Sequence, residues 1–360
     1  MNMRKLSAIL LTGAILLGAN TAVSAADVPT VGQGTPEAEA TVSIKKNVEY
    51  AEGITGPNAT FSFTATPATP GAPNATISDV QYTEESYKNA VLQDKKYTAS
   101  QTMNIQFDKF DHAGMYEYTV KETQGQEEGF QYSTKEYKLR VFVENKPDGS
   151  GVYVKNITAE TEGQKQNEVS FINTYTKNGG GNGKDALVIE KQTTGNYANK
   201  TKEFKFKLKL EKAATTQDAT VVGKIGAEDI EFTYGEEKEF KLSDGKKLAF
   251  ANLPAGTRYV VTEIGVEDKY VPTVTVVENG AETVKDQKGE DATDLASSTT
   301  TNLVGENENK VTFVNEYTEF GDNPITGILE NNMPFILLIG VGIAAFGLVI
   351  VAKRRRISER

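Results

Sequence analysis

Side chains that can react with one another occur in the same order in each half of this chain. Each half has a lysine near its start, a glutamate in its middle and an asparagine near its end: Lys46, Glu122 and Asn173, then Lys191, Glu263 and Asn315. A neutral amine can attack a carboxamide and release ammonia when a neighbouring carboxyl group moves the protons. These residue types therefore predict an amide bond between side chains, formed once in each half.

Such chemistry requires the lysine and the glutamate to lie out of water. Burial lowers the pKa of a lysine and raises that of a glutamate, so both groups can become neutral at physiological pH. Burying either group as an ion costs several kcal/mol unless the two pair. A simpler alternative therefore stays open, namely a buried Lys–Glu ion pair with the asparagine hydrogen-bonded beside it.

Alternating patterns predict that all six residues point into apolar cores. Lys46 has the same parity as Val42 and Ile44, and alternate residues of a strand share one face. Lys191 shares parity with Leu187 and Ile189, Glu122 with Tyr118 and Val120, and Glu263 with Tyr259 and Val261. Asn173 shares parity with Val169 and Phe171, and Asn315 with Val311 and Phe313. Each half should thus direct one lysine, one glutamate and one asparagine into its own core.

Period-two patterns through the interior predict an all-β fold. Apolar residues from Phe204 to Leu210 alternate with charged ones, and a similar run covers residues 137–143. The second run leads to Pro147-Asp148-Gly149, a turn signal that predicts a hairpin. The sequence between residues 40 and 318 contains no long amphipathic helical pattern.

The repeated order of lysine, glutamate and asparagine, each within a similar apolar pattern, indicates a duplicated unit. We expect domains over residues 39–176 and 186–318, joined by a Gly-rich linker over residues 177–185 whose composition predicts flexibility. The linker glycines lack the spacing of a phosphate-binding loop before Lys184. About 300 residues lie between the two terminal signals described next, which suits two ordinary domains.

Both ends of the chain carry predicted targeting segments, a signal peptide at the start and a membrane-spanning segment at the end. Two basic residues, an apolar stretch and small residues at the cleavage site predict a signal peptide over residues 1–25. At the other end, residues 319–360 contain an apolar run over 333–352, long enough to cross a bilayer as a helix. The basic tail over residues 353–360 would hold this end in the cytoplasm.

A pentapeptide ahead of the apolar run resembles the sorting signal that sortases cleave. It consists of Asn323, Pro324, Ile325, Thr326 and Gly327. In that family a thiolate enzyme attacks the threonine carbonyl and transfers it to an amine, so the resemblance implies Thr326 as the acyl donor. The family pattern begins with leucine where this chain has asparagine, which leaves the class of sortase open.

Charge and composition exclude several functions. The net charge is −10, and removing the two basic residues of the signal peptide and the net +3 of residues 327–360 leaves −15. An acidic surface argues against nucleic acid as a partner. The chain has no cysteine, so disulfides cannot stabilise it. With His112 as the single histidine, no catalytic triad, metal site or cofactor is expected, and the predicted bonds consume their own residues without turnover.

The layout resembles the streptococcal T-antigen type of major pilin over roughly residues 40–327. The resemblance rests on the tandem domains, on Tyr-x-Val-x-Glu at 118–122 and Tyr-Val-Val-Thr-Glu at 259–263, and on Phe-x-Asn at 171–173 and 313–315. It implies two tandem immunoglobulin-like β-sandwiches of the collagen-adhesin B type. By matching position it implies isopeptide bonds and catalytic glutamates as follows: Lys46 to Asn173 with Glu122, and Lys191 to Asn315 with Glu263.

The resemblance implies a shaft pilin on the surface of a Gram-positive bacterium, joined by a sortase through Thr326 to a lysine of the next copy. The implied partners are copies of itself, a sortase and peptidoglycan, with minor pilins and a host surface as further candidates. About eleven residues separate Asn315 from Thr326 and reach at most about 40 Å, which favours stacked copies over one copy buried in the wall. Lys165 is the favoured linking lysine and Lys177 the alternative. A monomeric wall-anchored adhesin or minor pilin is the second hypothesis.

Overall fold

The computed structural model describes residues 30–181, 183–265, 269–289 and 293–317. The predicted signal peptide (1–25), the sorting motif (323–327) and the apolar run (333–352) lie outside these residues. Within the described part of the chain, no helix is both long and apolar enough to cross a membrane.

The all-β prediction is confirmed, since a single four-residue helix, α1 (Glu84–Tyr87), accompanies the strands of the described residues. The first domain contains β1 (Gly32–Gln33), β2 (Val42–Ala51), β3 (Ala59–Phe61), β4 (Phe63–Pro67), β5 (Ala75–Ile77), β6 (Val80–Tyr82), β7 (Val91–Gln93), β8 (Lys96–Phe107), β9 (Gly114–Glu122), β10 (Phe130–Gln131), β11 (Glu136–Asn145), β12 (Val152–Thr161), β13 (Gln164–Gln166) and β14 (Val169–Tyr175). The second domain contains β15 (Leu187–Thr194), β16 (Phe204–Glu211), β17 (Thr220–Ile225), β18 (Glu228–Thr233), β19 (Glu237–Leu242), β20 (Lys247–Phe250), β21 (Arg258–Ile264), β22 (Tyr270–Glu278), β23 (Ala281–Lys288), β24 (Leu295–Ala296), β25 (Asn302–Leu303) and β26 (Lys310–Tyr317).

The strands of each domain enclose one apolar core. In the first domain they form a continuous sheet in the order β1-β12-β11-β9-β4-β5-β8-β2-β14-β10, while β3 and β6 pair separately. In the second domain one sheet has the order β18-β17-β20-β15-β26-β22-β23, and the other has the order β19-β16-β21-β24 with β25 on β21. The hairpin predicted at the Pro-Asp-Gly turn is confirmed as β11 and β12.

The first long strand and the last strand of each domain are parallel neighbours. Strand β2 pairs with β14, and β15 pairs with β26. The other strand pairs of the described residues are antiparallel. Because side chains alternate strictly along a strand, this pairing register decides which residues of the two strands share the core face.

Part of the predicted Gly-rich linker packs against the second domain. Gly179 and Gly180 are buried, and their N–H groups donate to the carbonyls of Leu253 and Asn307. Gly180 has a φ of +85°, and a Cβ there would lie 2.3 Å from a backbone oxygen. Glycine is therefore required here by a tight, close-packed turn.

The two domains also contact each other through side chains. Arg258 Nη2 donates to Glu52 Oε2 at 2.5 Å across the interface. Gly256, with a φ of +91°, lies so close to the first domain that an added Cβ would be 2.5 Å from the Cβ of Ala51. A close glycine contact and the ion pairs Arg258–Glu52 and Lys95–Glu211 thus join the two domains.

We expect Gly256→Ala to weaken this contact. Gly226→Ala is the matched control, because Gly226 also has a positive φ (+63°) but no atom lies within 4 Å of its added Cβ. Both substitutions carry the backbone cost of a left-handed alanine, and only the first adds a clash of about 1–3 kcal/mol. Urea unfolding should therefore show a larger loss for Gly256→Ala, and equal losses would contradict a close interdomain contact.

Candidate functional site

The six predicted reactive residues all lie inside the domain cores. Glu122 is 4% exposed, and the other five side chains are fully buried: Lys46, Asn173, Lys191, Glu263 and Asn315. Charged groups are rarely buried to this extent without a partner. Each core therefore has to satisfy a lysine and a glutamate without water.

Strand register brings the lysine and the asparagine together. Lys46 lies opposite Phe171 in the parallel pair β2–β14, and Asn173 follows two residues later, so both side chains leave the same face. The second domain repeats this register in β15–β26 with Lys191, Phe313 and Asn315. The glutamates come from strands that are not neighbours of these pairs, β9 in the first domain and β21 in the second.

In the first domain the three side chains form a compact hydrogen-bonded group. Lys46 Nζ donates to Glu122 Oε1 at 2.9 Å and to Oε2 at 2.8 Å. Asn173 Nδ2 donates to the same Oε1 at 2.6 Å, and Asn173 Oδ1 accepts the backbone N–H of Ser133 at 2.8 Å. The amine and the carboxamide nitrogen thus share one carboxylate oxygen.

The second domain repeats the arrangement with fewer hydrogen bonds. Lys191 Nζ lies 3.1 Å from Glu263 Oε1, and Asn315 Nδ2 donates to that oxygen at 2.8 Å. Glu263 Oε2 and Asn315 Oδ1 are buried without a hydrogen-bond partner among the described residues. A carboxyl oxygen without a donor favours the protonated form of the group.

A phenylalanine ring covers each amine. Lys46 Nζ lies 4.5 Å from the centre of the Phe61 ring, and Lys191 Nζ lies 4.4 Å from the centre of the Phe204 ring. The ring face attracts the ammonium form and keeps water away from the nitrogen in either form. The two sites therefore match in their apolar walls as well as in their reactive groups.

The covering rings have a signal in the sequence that was not among the predictions above. Phe61 and Phe63 form a Phe-x-Phe pattern, and Phe204 and Phe206 repeat it at the same place in the second half. The second ring of each pattern lies opposite the glutamate in the strand register. A repeated aromatic pair near a repeated reactive triple could have identified these walls.

Burial dominates the ionisation of both sites. Desolvation lowers the pKa of Lys46 to about 8 and that of Lys191 to about 8, although the neighbouring carboxylates oppose the change. Desolvation also raises the pKa of Glu263, against the attraction of Lys191. The lowered lysine pKa increases the uncharged fraction of each amine at neutral pH, which supplies a nucleophile.

The two candidate linking lysines differ in their surroundings. Lys165 lies on β13 with an exposed side chain and makes no ion pair with a described residue, because its cross-strand neighbour Glu160 binds Arg140 at 2.8 Å. Lys177 Nζ lies 3.3 Å from Glu306 Oε1. Of the two amines, only that of Lys177 is therefore engaged in an ion pair among the described residues.

Two family models match the chain, one over each domain. Residues 42–176 match the family described as "Spy0128-like isopeptide containing domain", and residues 185–317 match a domain of unknown function (DUF7601). The first match covers the whole of the first site, from Lys46 to Asn173, and the second covers Lys191 to Asn315.

Two relatives of the chain are proteins of Streptococcus pyogenes. A pilin of serotype M1 is 27% identical over 361 residues, which cover 95% of this chain and 96% of that protein. The pilus tip adhesin Cpa is 35% identical over 83 residues, 23% of this chain and 12% of that protein. A crystal structure of the major pilin from Streptococcus pyogenes aligns with a TM-score of 0.38 at 22% identity, over 78% of this chain and 99% of that one.

The lowered lysine pKa predicts a specific dependence of stability on pH. In Asn315→Ala the electrophile is absent and Lys191 stays unreacted in the core, where burial lowers its pKa from 10.5 to about 8 in the wild-type site. Between these two values the unfolded chain binds more protons than the folded chain. The free energy of unfolding should therefore rise between pH 8 and 10.5, by up to about 3 kcal/mol.

Urea titrations at a series of pH values measure this rise. The matched control is the double variant Lys191→Met/Asn315→Ala, which lacks the titrating amine and should show a flatter profile. The same rise in both proteins would assign the effect to other groups.

Proposed function

We propose that this chain, a homologue of streptococcal pilins with a Spy0128-like isopeptide domain over residues 42–176, is a pilus subunit whose two domains each form a Lys–Asn amide bond. One observation carries the proposal. In both domains an amine and a carboxamide contact the same oxygen of a buried glutamate, in the same strand register. The bonds would join Lys46 to Asn173 and Lys191 to Asn315.

The arrangement supports a complete, single-turnover reaction. The uncharged lysine Nζ attacks Cγ of the asparagine, and the carbonyl electron pair moves to Oδ1. The glutamic acid gives its proton to Nδ2 and takes one from the attacking nitrogen, so it ends in the protonation state in which it began. When the C–N bond breaks, Nδ2 leaves as ammonia and the two side chains share an amide.

A structural ion pair explains the geometry less well. An ion pair requires only the lysine and the glutamate, whereas the asparagine occupies the same carboxylate oxygen in both domains. In the second domain it also leaves Asn315 Oδ1 without a partner among the described residues, and an unsatisfied buried acceptor costs about 1–3 kcal/mol. The asparagine is therefore better explained as a reactant.

Intact mass is the direct test of both bonds. Residues 27 to 326 should have a mass lower than the sequence mass by two ammonia molecules, because each amide releases one. Glu122→Ala and Glu263→Ala should each restore one. Glu117→Ala is the control, since Glu117 lies on the same strand as Glu122 but binds Arg140 on the outer face, and its mass should still lack two ammonia molecules.

The outcomes separate the alternatives. A wild-type protein with the full sequence mass would leave buried ion pairs and no cross-links. Loss of both ammonia molecules in Glu122→Ala would keep the first bond but remove the catalytic role of the glutamate.

The proposal extends to assembly of a shaft at the cell surface. A sortase would cleave after Thr326 and join it to Lys165 of the next copy, with the last copy passed to peptidoglycan. The alignment with a pilin over nearly the full length of both proteins supports this role. The shorter similarity to a pilus tip adhesin favours, as the second candidate, a minor pilin or a wall-anchored monomeric adhesin.

Wall extracts of the producing bacterium distinguish these roles. The wild-type chain should give a ladder of covalent polymers that resists sodium dodecyl sulfate. Lys165→Arg should abolish the ladder because it removes the acceptor amine, whereas the matched change Lys177→Arg should preserve it. A ladder that survives in Lys165→Arg would exclude that lysine, and a single wild-type band would support the monomeric adhesin.

A further inference from the structure

We propose that the backbone N–H of Ser133 is the oxyanion donor for bond formation in the first domain, and that Gln124 is the positioning residue that holds it in place. The inference rests on the proposed function, since it concerns the reaction between Lys46 and Asn173. It adds a contribution from a loop that supplies no reactive side chain.

The donor lies where negative charge develops. The Ser133 N–H donates to Asn173 Oδ1 at 2.8 Å, within the 2.7–3.1 Å range of effective oxyanion donors. At the other end of the carboxamide, Nδ2 donates to Glu122 at 2.6 Å. The group that reacts is therefore held at both ends, with its carbonyl polarised and its leaving nitrogen beside the proton carrier.

The fold leaves this N–H free for the role. Ser133 lies in the loop between β10 and β11, outside the β-ladder whose hydrogen bonds occupy most other backbone donors. Backbone N–H groups that point into a core nearly always have a partner, and here the partner is the reacting carbonyl. No reorganisation of the loop is required when charge appears on the oxygen.

The loop is fixed by a residue close to the catalytic carboxyl. Gln124 follows Glu122 by two positions, and its Nε2 donates to the Ser133 carbonyl oxygen at 2.7 Å. One segment thus supplies the proton carrier and also orients the oxyanion donor. A groove of about 480 Å³ is bordered by Glu122, Gln124 and Ser133, while the Glu122 side chain itself is closed to solvent.

The chemical step is balanced without any change in the loop. Attack by Lys46 Nζ moves the carbonyl electron pair onto Oδ1, where the Ser133 N–H stabilises the negative charge. The pair returns when the bond to Nδ2 breaks and ammonia leaves, with both proton transfers passing through Glu122. The Ser133 N–H is neither consumed nor deprotonated.

The proposal is limited to the first domain. In the second domain the strand register places Thr273 of β22 where Ser133 lies in the first, and Asn315 Oδ1 has no hydrogen-bond partner among the described residues. The second bond therefore serves as an internal reference in the experiment that follows.

The test removes the N–H with Ser133→Pro and keeps it with the matched change Ser133→Ala. The mature chain is synthesised in a cell-free reaction and quenched at intervals. Digestion and mass spectrometry then quantify the Lys46–Asn173 and Lys191–Asn315 cross-linked peptides in each sample. Loss of one oxyanion donor should slow the first bond by roughly 10²–10³-fold relative to the second, while Ser133→Ala should stay within a few-fold of wild type.

A second variant covers the case in which proline prevents folding of the first domain, as judged by protease resistance. Gln124→Leu keeps the N–H but releases the loop, and it should slow the first bond with no effect on the second. Equal rates for wild type and a folded Ser133→Pro, or for wild type and Gln124→Leu where proline unfolds the domain, would overturn the inference. Absence of both bonds in wild type would instead overturn the proposed function.

Discussion

The contact among a buried amine, a carboxyl group and a carboxamide is the constraint on which the rest of each domain depends. Taking the lysine and glutamate out of water is unfavourable, so the surrounding strands must supply both the apolar walls and the geometry that brings the groups together. Parallel pairing of β2 with β14, and of β15 with β26, does this for the lysine and the asparagine. A slip of one residue in either ladder would turn one reactant outward and separate the pair.

Because of the same parallel pairing, the proposed bonds would carry tension applied along the chain. The chain enters the paired ladder at the start of β2 and leaves it at the end of β14, so tension pulls two parallel neighbours past each other along their axes. A Lys46–Asn173 amide would join these strands directly, and the layers beyond them would carry little of the force. Closing a loop of about 125 residues would also stabilise the domain by about 5 kcal/mol if the chain-entropy model for disulfides applies. The chain, which has no cysteine, would gain a cross-link that reductants cannot break.

The sequence was sufficient for features that depend on side-chain parity. Alternation of apolar residues predicted the all-β fold, and it predicted that residues such as Lys46 and Glu263 point inward, where the structure places them. It could not identify Ser133, because a backbone N–H leaves no trace in residue type. Composition also gave no sign that Gly179 and Gly180 lie in a buried turn, where Gly180 has a positive φ. Backbone donors and backbone conformation are set by tertiary contacts that a local pattern does not contain.

The unreacted site is a poor environment for the groups that it contains, and this bears on why the reaction would proceed. In the second domain a charged Lys191 lies against the Phe204 ring, and buried oxygens of Glu263 and Asn315 lack partners among the described residues. Conversion of the amine and carboxamide into one amide removes the buried positive charge and leaves a neutral acid beside a neutral acceptor to which it can donate. Because ammonia then escapes to water, the reverse reaction loses its partner. The apolar core therefore disfavours the charged reactants more than it disfavours the neutral amide product.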